Sequence, residues 1–96
     1  MLILSRNTGE RVRITTPCGA VIWLTMQPDW IDCDDGSGLE PLRAIRNHSA
    51  LFKYEDGEVE ISFKPCTKRQ HYHRVGIQAP VEFAILREEL IDHHAS

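Results

Sequence analysis

Arg11-Val12-Arg13-Ile14-Thr15 alternates polar and apolar residues, and Glu58-Val59-Glu60-Ile61-Ser62-Phe63 does the same further along. Side chains leave a strand on alternate faces, so a period of two marks a half-buried strand. A helix facing a core would instead repeat its apolar residues at three and four positions. These two stretches decide the class: the chain is mainly β.

The neighbours extend that reading. Met1 to Ser5 is a short apolar run consistent with a buried strand, and Asn7-Thr8-Gly9 reads as a turn. Ala20 to Met26, rich in Val, Ile, Trp and Thr, is a further strand between Pro17-Cys18-Gly19 and Gln27-Pro28-Asp29. His71 to Gln78 alternates again, Ala79-Pro80 breaks the pattern, and Glu82 to Leu86 is the last strand. Arg87-Glu88-Glu89-Leu90-Ile91 reads as the start of a short terminal helix, its acids placed where the helix dipole favours them. Residues 27–57 are the least regular part. There the spacing of Leu39, Leu42 and Ile45, with Pro41 suited to a first turn, predicts a short helix across about 40–47. The sum is five or six strands and one terminal helix, with no internal repeat visible. Such a chain has exposed strand edges, and pairing with a second copy would cover them, so a homodimer is expected.

Ninety-six residues make one small domain. The apolar fraction of 42% and charged fraction of 26% are those of a folded globular chain, which excludes disorder and coiled coils. No apolar run approaches the roughly 20 residues of a membrane helix, and the N-terminal run is too short for a secretory leader. Three cysteines, Cys18, Cys33 and Cys66, share no close spacing, so reduced thiols in a cytoplasm are expected.

The net charge of −3 argues against a nucleic-acid partner, which needs clustered Lys and Arg. The charge is unevenly spread, however. Residues 1–16 carry Arg6, Arg11 and Arg13 against Glu10 alone, while Asp29, Asp32, Asp34 and Asp35 crowd one acidic stretch. An acidic whole can therefore present a basic face.

The two ends together carry a resemblance. Met1-Leu2-Ile3-Leu4-Ser5-Arg6, then Gly9-Glu10, is similar to the opening of the bacterial carbon storage regulator family (CsrA/RsmA). Arg74-Val75-Gly76-Ile77-Gln78-Ala79-Pro80 and Phe83-Ala84-Ile85-Leu86-Arg87-Glu88-Glu89-Leu90 resemble its C-terminal part. The similarity covers about residues 1–16 and 71–91 of a single domain spanning 1–96. Family members are shorter, which leaves a central insertion of about 35 residues here. It falls within about 27–70 if Ala20–Met26 is the family's second strand, or about 17–57 if Glu58–Phe63 is. The insertion would hold one short helix or an extra strand. Asn7 departs from the Arg or Lys that members often have at its position.

The resemblance implies a five-stranded protomer with a short C-terminal helix in an intertwined homodimer. It implies binding of GGA motifs in mRNA leaders, or in small RNAs with GGA loops, and so repression or activation of translation. A protein antagonist is a further implied partner. Each site would join the first strand of one protomer to the last strand of the other. By position, the RNA-binding residues would be Leu4, Arg6, Phe83, Ile85, Leu86, Arg87 and Glu88, with Arg11 and Arg13 as auxiliary contacts. The residue types suit this role. An unpaired loop exposes base edges that backbone groups and Arg can address, and the Arg fork also fits phosphate.

Two other readings stand beside it. The same fold can serve as a protein-interaction module with RNA binding weakened, which the acidic charge and Asn7 favour. Alternatively, Cys66, His71 and His73, completed by Cys33 or Cys18, could hold a structural zinc, although the spacing matches no standard signature. No enzyme motif is present: there is no P-loop, GxSxG or HExxH, and neither a cofactor nor a catalytic residue is expected. His93-His94 reads as a polar tail.

Overall fold

The computed structural model describes residues 1–65 and 72–87. They form nine strands: β1 (Leu2–Asn7), β2 (Arg11–Thr15), β3 (Val21–Met26), β4 (Ile31–Asp34), β5 (Leu42–Ala44), β6 (Ala50–Tyr54), β7 (Gly57–Pro65), β8 (Tyr72–Gln78) and β9 (Ala84–Arg87). All pairings are antiparallel. One sheet has the order β1-β8-β7-β6, the other β5-β4-β3-β2-β9.

The period of two builds the core directly. Val12 and Ile14 on β2, Ile22, Leu24 and Met26 on β3, and Ile31 and Cys33 on β4 are all buried on one face. Val59, Ile61 and Phe63 on β7 and Val75 and Ile77 on β8 answer them from the other sheet, in a single cluster. Polar neighbours such as Arg11, Arg13 and Thr25 take the outer faces, half-exposed. Burying a branched side chain fully contributes about 1.5–3 kcal/mol, so these alternating positions supply most of the cohesion.

Several expectations need correction. The class is mainly β as read, but the described residues hold nine strands rather than five or six. The short helix across 40–47 does not form: Leu42–Ala44 is strand β5, paired with β4, and the chain then turns at Arg46-Asn47. Asn47 has φ 68°, a left-handed conformation that ends any helix there. Ala44 is fully buried against the core, and the period that matters is the ladder's two, not the helical three. Residues 27–57, read as irregular, contain β4, β5 and β6. The last strand starts at Ala84, because Phe83 N–H closes a turn onto Pro80 O at 3.0 Å. Arg87 belongs to that strand rather than to a helix, and the rest of the expected C-terminal helix lies outside the described residues.

Candidate nucleic-acid interface

β1 and β9 are each the edge strand of their own sheet, and among the described residues nothing pairs with their outer sides. Both reach the start of β2. Arg87 is opposite Val12 across the β2–β9 ladder, and the Arg6 Nη2 donates to the carbonyl of Arg11, one residue away, at 3.1 Å. The two edges therefore run to a common corner near Arg6, Arg11, Arg13 and Arg87, with Glu10 the acid beside Arg6 among the described residues.

The four arginines differ in availability. Arg6 is on the inner face of β1, paired with His73, and is only 3% exposed. Its guanidinium also meets the Glu10 carboxylate at 3.5 Å, and that carboxylate accepts the Asn7 N–H, so the group braces the β1–β2 turn. Arg87 is exposed. Arg11 and Arg13 are half-exposed on the outer face of β2. Arg11 stacks over the Trp23 ring at 4.0 Å, and Arg13 is opposite both Trp23 and Leu86.

Of the residues expected at an RNA site, Leu86 presents a half-exposed side chain opposite Arg13 on the outer face, and Arg87 is exposed at the end of β9 opposite Val12, on the other face from Leu86, Arg11 and Arg13. Leu4 and Ile85 point inward, opposite Val75 and Ile14, and pack on the core. Phe83 is 5% exposed and belongs to the core. Arg6, buried, works within the protein. Glu88 lies outside the described residues.

Most of the acidic stretch is held away from Arg87. Asp32, Asp34 and Asp35 sit on and just after β4, which β3 and β2 separate from β9, while Asp29 lies in the β3–β4 turn. Those three carboxylates also have local partners. Asp32 accepts from Gln27 Nε2 at 3.0 Å and Trp30 Nε1 at 2.9 Å, and faces Arg43 at 3.7 Å. Asp34 and Asp35 cap turns by accepting the Gly36 and Ser37 N–H groups. The Ser37 hydroxyl and N–H hold the Asp35 carboxyl below its ordinary range.

The outer-face arrangement of Trp23 with Arg11 was not read from the sequence. Its signal was available, since Trp23 has the same parity in β3 as Arg11 and Arg13 have in β2. Of the proposed zinc ligands, the three described ones do not gather. His73 is buried on β8, edge-on to Phe63 at 5.1 Å. Cys33 is buried in the opposite sheet, where desolvation pushes its thiol up to about 12. Cys18 is exposed in the β2–β3 turn, in contact with Thr16 Oγ1 at 3.0 Å. Cys66 and His71 lie outside the described residues. Among the described residues no three metal-ligating side chains gather.

No protein-family model matches the chain, and neither a curated protein nor a solved structure matches it.

Proposed function

We propose that the chain is an RNA-binding regulator of translation that takes a single-stranded loop with a GGA motif, in an mRNA leader or small RNA, at the corner of β1 and β9. The observation that carries this reading is that, among the described residues, the open edges of β1 and β9 both run to the start of β2 beside exposed Arg87, with Asp32, Asp34 and Asp35 beyond β2 and β3. Unpaired edges offer regularly spaced N–H and C=O groups to base edges, and Arg87 adds a fork for phosphate or guanine. Arg11 and Arg13 add a sequence-independent attraction. The inward-facing residues Leu4, Arg6, Phe83 and Ile85 shape the corner rather than touch the ligand.

The test is binding of a GGA-loop RNA against a scrambled loop across a salt series. Preference for GGA, with Arg87→Ala weakening it about tenfold or more and lowering the salt slope by about one, is the expected result. Equal binding of the scrambled loop would sink the reading and leave the protein-interaction module in its place.

A further inference from the structure

The two sheets share one register. Across β2–β3, Val12 faces Leu24 and Ile14 faces Ile22; across β6–β7, Ala50 faces Ile61 and Phe52 faces Val59. Across β3–β4, Leu24 faces Cys33 and Met26 faces Ile31; across β7–β8, Ile61 faces Ile77 and Phe63 faces Val75. Every inward residue of the first meander thus has a counterpart in the second, in order. The next strand obeys the same rule. Leu42 and Ala44 of β5 face Cys33 and Ile31, and Leu2 and Leu4 of β1 face the counterparts Ile77 and Val75. β5 therefore takes in the second half the place that β1 takes in the first.

Each first strand lies not on its own meander but on the fourth strand of the other half. The exchange is reciprocal. Corresponding turns also touch: Cys18 N–H, in the β2–β3 turn, donates to Asp56 Oδ2, in the β6–β7 turn, at 3.1 Å. Contact between equivalent positions is what a two-fold relation between the halves produces. We propose that residues 2–34 and 42–78 are two copies of one four-strand unit that exchange first strands within a single chain. The β1/β9 corner is then built once per chain, without a second copy.

A second such corner, at β5 and β6, lacks two parts. After β4 the chain runs through Asp-Gly turns, with positive φ at Gly36 and Gly38, straight into β5. Nothing equivalent to β9 follows, and among the described residues no strand pairs with the outer side of β6, the counterpart of β2. In addition, β5 turns at Arg46-Asn47, so the rung that pairs Arg6 with His73 has no equivalent. One complete corner binds one RNA loop. This stoichiometry rests on the RNA reading above, but the strand exchange does not.

Three measurements test the proposal on the full chain. Light scattering is expected to give a monomer, and a GGA-loop RNA to saturate at one per chain. The double variant Ser5→Cys, Arg74→Cys places a thiol pair on opposed residues of β1 and β8. Oxidation is expected to give a disulfide within one chain, identified on a non-reducing gel and by peptide mapping. An obligate dimer with this disulfide between two chains would overturn the proposal, as would two RNA loops per chain. If the chain is a monomer with the internal disulfide but ignores GGA, the duplication stands and the RNA reading falls.

Discussion

Arg6 and His73 face each other across the β1–β8 ladder, and both are buried, at 3% and 4% exposure. The Arg6 Nη2 donates to the Arg11 carbonyl and its Nη1 meets the Glu10 carboxylate, which ties β1 to the start of β2. Replacing Arg6 with Ala is expected to destabilise the fold by about 2–4 kcal/mol, since buried acceptors lose their donor. Urea unfolding checks it through the midpoint at constant slope. A loss of RNA binding with unchanged stability would instead make Arg6 a ligand contact.

Ile85 and Leu86 are adjacent but point to opposite faces of β9, so their substitutions should separate. Ile85→Ala is expected to cost about 1–2 kcal/mol of stability, because the side chain packs opposite Ile14. Leu86→Ala, beside Arg13 on the outer face, is expected to cost less than about 1 kcal/mol and to weaken RNA binding. Paired denaturation and binding curves decide this; a reversed ranking would mean that β9 presents its other face.

Gly57 opens β7 with φ 145°, and a Cβ there would run into Pro80 and approach Phe83. Gly57→Ala should therefore destabilise by about 2 kcal/mol or more, through backbone and collision together. Gly19, at φ 95° in the other turn, has open space around it, so Gly19→Ala is expected to cost only about 1 kcal/mol. Equal costs would show that the collision is relieved by movement of the Pro80 turn.

Cys33 keeps its proton to about pH 12 in the folded chain, against an ordinary thiol near 9.0, because burial disfavours the thiolate. Above pH 9 the unfolded chain therefore binds fewer protons than the folded one, and stability falls as pH rises between those values. The limiting slope is about 1.4 kcal/mol per pH unit. Tyr54, raised first by burial and then by nearby acidic groups, acts in the same direction from pH 10. Cys33→Val should flatten the fall between pH 9 and 10, measured by urea midpoints. In native protein Cys33 should resist alkylation while Cys18, exposed, reacts, as peptide mapping will report.

The legible part of the fold was the part where alternation runs for five residues or more. β2, β3 and β7 declare themselves through Val12 and Ile14, through Ile22, Leu24 and Met26, and through Val59, Ile61 and Phe63. β4 has only Ile31 and Cys33 to show, set among aspartates, of which Asp34 and Asp35 cap turns. β5 is three residues long, and chance placed Leu39, Leu42 and Ile45 at helical spacing around it. The site divided in the same way. Parity within β9 sets Leu86 apart from Ile85, but only the ladder shows that Arg6 turns inward. The repeat escaped because apolar residues replaced one another freely, as Cys33 and Ile77 do, so that the pattern survived and the letters did not.

The exchanged first strand also sets an order of assembly. β1 is synthesised before its partner β8 exists, and Leu2 must wait for Ile77, just as Thr15 on β2 must wait for Ala84 on β9. Until then Leu2, Ile3 and Leu4 have no ladder, and the edge of β2 lies open. Pairings so distant in the chain bear a high loop-closure cost before any contact rewards it, which makes folding slow and concentrates it in one late step. A nascent chain halted before β8 would leave these apolar strand edges without partners, the condition in which partly made chains aggregate.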